Sequence, residues 1–157
     1  MSPTRPRFDP SYGISNKPEG LLDWSEVATA FEKSRNYWIV STRPDGRPHA
    51  APVWGLWLDE TVMFSTSPNS VKGRNVAVNP NVVVHLESGD DVYMLEGVVE
   101  RVTKSEVLAR FVDAYDAKYG WRVNPDDPNG LFYVVRARKA YAWHEKNFPE
   151  SATAWTL

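Results

Sequence analysis

Apolar and polar positions alternate along much of this chain with the two-residue period of strands, interrupted by a few stretches of helical period. In Thr61–Thr66, Val62, Phe64 and Thr66 alternate with Thr61, Met63 and Ser65, and β-branched or aromatic residues sit in both sets, which predicts a strand. Ser67, Pro68 and Asn69 then form a turn, and Ser70 is placed to cap a short helix through Val76 that Asn79 and Pro80 end. Val82–Leu86 is the next strand. Upstream, Asp23 and Glu26 stand at capping-box spacing, followed by Val27, Ala30 and Phe31 on one helical face to about Ser34. Tyr37–Thr42 predicts a strand, and Arg43-Pro44-Asp45-Gly46 a hairpin turn. Pro48–Leu58 predicts a long second strand, kinked or bulged at Pro52 and Gly55, and Asp59-Glu60 turns the chain back.

Downstream, Ser88–Asp91 is a turn and Val92–Val102 a strand with an expected bulge at Gly97. Thr103 and Glu106 suggest a second capping box. Val107, Leu108, Phe111, Val112 and Tyr115 recur at helical spacing to Lys118, with Gly120 as the terminating glycine. Two prolines make Trp121–Gly130 a loop. Leu131–Arg138 alternates as a sixth strand, which Ala140–His144 extends or follows as another. Residues 1–20 are rich in Pro, Ser and Gly and predict an irregular arm ahead of one domain spanning 21–157. Hairpins in a meander with two or three peripheral helices give an α+β, mainly β, class. So many glycine and proline corners favour a closed barrel, which leaves no exposed edges.

Composition narrows the functional classes. The 157 residues are 42% hydrophobic, enough for a substantial core, and the formal net charge of -2 implies no general attraction to nucleic acid. Without cysteine there are no disulfides, thiolate metal sites or cysteine nucleophiles. The longest uncharged apolar run, Ala50–Leu58, is too short to span a bilayer, so no membrane association and a cytoplasmic location are expected. Seven Trp, seven Tyr and six Phe suggest a flat ligand, a large subunit interface, or both.

Candidate chemistry gathers around Ser70. A strand, a hydroxyl-rich turn and a helix N-terminus carrying Lys72 and Arg74 suit a phosphate, because free N–H groups and the helix dipole attract an anion. His49, His85 and His144 are isolated from one another in sequence, so no metal site is expected and each is read as a satisfied structural histidine. Trp54 and Trp57 have odd spacing and face opposite sides of their strand.

The run Tyr37-Trp38-Ile39-Val40-Ser41-Thr42-Arg43-Pro44-Asp45-Gly46-Arg47-Pro48-His49, followed by Pro52-Val53-Trp54, resembles the first hairpin of the pyridoxamine 5′-phosphate oxidase-like split barrels. Phe64-Ser65-Thr66, Ser70, Lys72-Gly73-Arg74-Asn75, Asn79-Pro80 and Val84-His85-Leu86 resemble the cofactor-phosphate turn of the same superfamily, nearest to its flavin/deazaflavin oxidoreductase branch. The resemblance covers roughly 21–102, and the 151–157 tail is similar too. It implies a six-stranded split barrel that forms a homodimer with FMN or coenzyme F420 at the interface. It also implies Thr66, Ser70, Lys72 and Arg74 as phosphate ligands, Asn75 as a brace, and Pro52, Val53 and Trp54 along the ring. Relatives often carry a basic residue where this chain has Val71 and an arginine where it has Ala154; Trp155 is then the tail residue expected to cover a ring. Arg5, Arg7 and Lys17 are candidates to line a basic groove for the F420 tail. The expected activity is hydride transfer with a small organic substrate. The alternative is a non-catalytic binder of haem or flavin on the same barrel, and nucleic-acid binding is not expected.

Overall fold

The computed structural model describes residues 1–157. Seven strands form one antiparallel sheet: β1 (Asn36–Thr42), β2 (Pro48–Leu58), β3 (Thr61–Thr66), β4 (Asn81–His85), β5 (Asp91–Arg101), β6 (Leu131–His144) and β7 (Thr153–Thr156). Their order is β3-β2-β1-β4-β5-β6-β7, and β3 also pairs with β6, so the first six close into a barrel. Closure removes most of the edges that an open sheet of this size would expose and leaves one side of β2 unpaired over Pro48–Trp54. The helices are α1 (Trp24–Lys33), α2 (Val71–Val78), α3 (Ser105–Tyr119) and a four-residue α4 (Phe148–Ser151), one more than expected.

Hairpin register places the side chains. The Arg43 N–H donates to Arg47 O at 2.9 Å, and Gly46 takes φ of 87°, a left-handed value that costs glycine little. Pairing then runs without a shift from Thr42–Pro48 to Asn36–Trp54. Alternate pairs are hydrogen-bonded, so Ser41–His49, Ile39–Ala51 and Tyr37–Val53 bond across β1 and β2, while Pro48, Ala50 and Pro52 aim their backbones away from β1. The two prolines therefore cost this ladder nothing, and no bulge forms at Pro52 or Gly55. Gly55 is instead where β2 passes from pairing with β1 to pairing with β3. The bulge expected at Gly97 is present, between Glu96 and Gly97.

Tyr37, Ile39, Val62, Phe64, Val84, Leu95 and Val135 fill the barrel. Helix α1 adds Val27 and Phe31, one turn apart and both fully buried, each contributing about 1.5–3 kcal/mol of burial. Trp57 turns inward onto Phe31, with ring centroids 5.2 Å apart, whereas Trp54 faces out and is 39% exposed. Helix α3 lays Phe111 and Tyr115 on a second, smaller cluster with Leu56, Met63, Phe132 and Val134 outside the barrel.

Several local expectations give way. Asp23 is the N-cap of α1, but its side chain caps nothing; Glu26 instead accepts from the Tyr93 hydroxyl at 2.8 Å and pairs with His144 at 2.9 Å. The N-cap of α3 is Lys104 rather than Thr103, so no capping box forms there either. Leu131–His144 is a single strand, and the tail adds β7 beside it. The arm is ordered. Thr4 bridges Ala154, and all five N–H groups of the Arg5 guanidinium go to carbonyls of Lys17, Glu19, Glu150 and Ala152. Arg5 is thus consumed in holding the arm and leaves no donor for a basic groove that would take an anionic tail.

Candidate cofactor site at the start of α2

Ser70 caps α2 because its hydroxyl accepts the Gly73 N–H at 3.0 Å while its φ and ψ stay extended. The same hydroxyl donates to Ser67 O at 2.8 Å and lies 3.1 Å from the Thr66 hydroxyl. The turn is tight. A Cβ on Gly73 would fall 2.2 Å from Ser67 O, so only glycine fits. The Val71 and Lys72 N–H groups have no acceptor in the chain, as the first turn of a helix dictates. Lys72 folds back so that Nζ lies 3.5 Å from the Thr66 hydroxyl. Burial pushes this ammonium below its ordinary pKa, and no carboxylate pairs with it.

Asn75 lies one turn beyond Lys72. It is buried and donates to the Ser41 hydroxyl at 3.0 Å, which pins α2 to β1. Ser41 stands directly across from His49 on the inner face. His49 belongs to this neighbourhood, contrary to its reading as a satisfied structural residue. Its Nδ1 is buried with no partner, and the ring is held below its ordinary pKa by burial first and then by the charges of Arg43 and Lys72. The hairpin register could have revealed His49; residue type alone could not. Asp45 pairs with Arg47 on the hairpin turn, so the charge left without a carboxylate partner beside the free N–H groups is that of Lys72. An oxyanion would satisfy the free N–H groups, the Thr66 hydroxyl and Lys72 together, while the Ser70 proton already goes to Ser67 O.

The other candidates are dispersed around this centre. Arg74 is exposed on another side of α2, where it shares a cleft with Arg43, Arg47, Pro68 and Val71, and it bonds Asn69 O. Pro52 and Trp54 border the strand edge that opens where β2 and β3 part beyond Gly55. Along that edge Ala50 is the residue between two prolines that still carries an N–H. Val53 turns its side chain to the core and its backbone toward Tyr37. Trp54 stacks on Tyr119 with centroids 4.7 Å apart and planes 3° from parallel. The Tyr119 hydroxyl accepts the Gly55 N–H at 3.0 Å and lies 2.6 Å from Gly55 O and 2.7 Å from Arg35 O, so it fills the gap at the end of the β1–β2 ladder. Trp155 is 1% exposed, packs against Trp24 at 5.5 Å, and presents no ring face at this site within the chain.

Of the other histidines, His144 has both ring nitrogens partnered and His85 only one. His144 lies between Asp91 at 2.6 Å and Glu26 at 2.9 Å, and His85 Nδ1 is 2.8 Å from Leu86 O. No cluster of metal-ligating side chains is present, and no helix is long and apolar enough to cross a membrane.

Six closed antiparallel strands, with α2 set between β3 and β4 over one end, define a split barrel of the pyridoxamine 5′-phosphate oxidase-like superfamily. Residues 24–144 match the family described as pyridoxamine 5′-phosphate oxidase, and the protein belongs to that family. Among solved structures, it is similar to a conserved hypothetical protein from Mycobacterium tuberculosis (23% identity, 83% of this chain and 89% of that one, TM-score 0.71). It is similar also to a haem-binding protein from Mycobacterium smegmatis (20% identity, 86% and 58%, TM-score 0.69) and to an F420 reductase (22% identity, 79% and 98%, TM-score 0.59). At these identities the likeness concerns the fold. No curated protein matches the chain significantly.

Proposed function

We propose that this protein is a flavin-type oxidoreductase that binds FMN or coenzyme F420 by its phosphate at the start of α2, with the ring along the open edge of β2. The observation that carries this reading is Lys72. It is a half-buried ammonium without a counter-ion, set beside free helix N–H groups and two hydroxyls. In this reading, Thr66, Lys72 and the free N–H groups of the helix hold the phosphate, His49 lies behind them, and Asn75 fixes the helix that presents them. Ser70 caps that helix and would join them only by turning its proton from Ser67 O. Pro52 and Trp54 flank the ring, and the Ala50 N–H points to its edge. The cofactor, when bound, supplies the hydride chemistry, and the protein binds and orients it. No side chain here is assigned as acid or base; solvent supplies the proton.

A second copy of the chain completes the pocket. On the outer face of the barrel, Trp38, Val40, Ala50, Pro52, Val83 and Met94 leave apolar surface exposed or half-exposed, and such a contiguous patch marks an interface. The test begins with absorption spectra of the purified protein alone and with each cofactor, beside its mass in solution. Reduced cofactor is then mixed with a panel of quinones and enones. Saturable binding to a dimer and oxidation above background are expected. A monomer with no affinity for either cofactor would remove the proposal. A non-catalytic haem binder is the second reading, favoured by His85. Its Nδ1 is held by Leu86 O and its ring is parallel to Trp38, leaving Nε2 without a partner to ligate iron. A Soret band that His85→Ala abolishes, with no turnover of reduced cofactor, would favour that reading.

A further inference from the structure

Away from this site, the ordered arm builds a second concavity. Phe8 and Tyr12 from the arm, Trp143 from the end of β6 and Phe148 at the start of α4 line a cavity of about 400 Å³, with Glu145 as its fifth wall. Phe8 and Phe148 lie nearly parallel, at 6° with centroids 6.1 Å apart. Tyr12 stands edge-on to both, at 72° and 78°, and Trp143 likewise, at 87° and 81°. Four rings from three segments thus enclose one space, and Tyr12 is 60% exposed at its rim.

The segments are held in place. Before Phe8, Thr4 and Arg5 tie the arm to β7, α4 and the 17–19 carbonyls; after Tyr12, the Ser15 N–H donates to Pro149 O at 2.9 Å. A strap pinned on both sides of the rings keeps the cavity formed without a ligand, which lowers the entropic cost of binding. No cation of the chain occupies these rings. The cation–π contacts in the protein are those of Arg35 and Lys118, and both lie on the other aromatic group around Trp54, Tyr37 and Tyr119. Aromatic faces carry partial negative charge, and a carboxylate at the wall adds a full one, so the cavity suits a cation with an apolar skin.

We propose that Phe8, Tyr12, Trp143, Phe148 and Glu145 form a binding site for a small organic cation, a quaternary or tertiary alkylammonium. A compact metal ion lacks the skin to match the rings, and a neutral ligand of the same shape forgoes the attraction of both rings and carboxylate. The inference is independent of the cofactor reading, because it uses neither α2 nor the β2 edge.

The experiment is calorimetric titration of the full-length protein with choline and, in parallel, with its neutral isostere 3,3-dimethylbutan-1-ol. Choline is expected to bind saturably, about tenfold or more tightly than the isostere. Tyr12→Ala, at an exposed position that leaves the core intact, is expected to weaken choline about tenfold, and Glu145→Gln to weaken choline but not the isostere. Thermal melts of both variants verify that the fold persists. Equal affinity for the two ligands, no saturation with choline, or indifference to both substitutions would overturn the proposal.

Discussion

Lys72→Ala has opposite consequences for the free and the liganded protein, and both follow from its surroundings. In the free protein the ammonium is half-buried, pushed below its ordinary pKa by burial, and meets only the Thr66 hydroxyl at 3.5 Å. Removing it relieves a desolvated charge and sacrifices no ion pair, so stability should change by no more than about 0.5 kcal/mol. With a phosphate present, the same group makes a charge-assisted hydrogen bond in a partly dehydrated setting, where the loss is about 1.5–3 kcal/mol. That corresponds to roughly 10- to 150-fold in affinity. Riboflavin, which has the ring of FMN but no phosphate, is the internal control. Fluorescence titrations of wild type and variant with FMN, F420 and riboflavin, beside urea melts, measure every quantity. The expected pattern is weakened FMN binding, unchanged riboflavin binding and an unchanged melt. Equal weakening of both ligands would show that Lys72 acts through the fold, and unchanged affinity for both FMN and F420 would remove it from the phosphate site.

Two further outcomes test the frame and its ionisation. A Cβ on Gly97 would lie 2.2 Å from Arg136 O and 2.8 Å from Ala137 Cα, all backbone at the bulge, so Gly97→Ala should cost about 2–4 kcal/mol in a denaturant melt; a change within 0.5 kcal/mol or so would contradict this packing. Burial lowers Lys118 from its usual 10.5 to about 8, beside Tyr37 and Gly55 O at 3.0 and 3.2 Å. Between those values the unfolded chain binds the extra proton, so stability should rise from pH 8 to pH 10. The gain is about 1 kcal/mol once solvent screening of this half-exposed group is allowed for. Lys118→Met should flatten that rise, and an identical pH profile in the variant would refute the assignment.

Local sequence was a sound guide wherever a residue's role depends on its immediate neighbours. Alternation located the strands because a sheet with one buried face requires a two-residue period, as Tyr37, Ile39 and Ser41 show. Ser70 caps α2 because a hydroxyl there reaches the N–H three residues on, and Gly97 carries the bulge expected of it. The odd spacing of Trp54 and Trp57 was enough to put them on opposite faces. Capping boxes were less secure. The Glu26 carboxylate had better partners across the barrel in Tyr93 and His144, which sequence spacing cannot reveal.

Tertiary structure decided which groups share a space. His49 joins Lys72 only because the hairpin register sets it opposite Ser41 and Asn75 then draws α2 over both. Arg74, two residues beyond Lys72, is carried to another side of α2 by the 3.6-residue helical period. Arg5 was legible as a charge but not as the clasp of an arm whose acceptors lie up to 147 residues away. Trp155 shows the same division. Its type suits a ligand's face, yet pairing of β7 with β6 buries it, because a strand's register, and not the identity of its residues, decides what points inward.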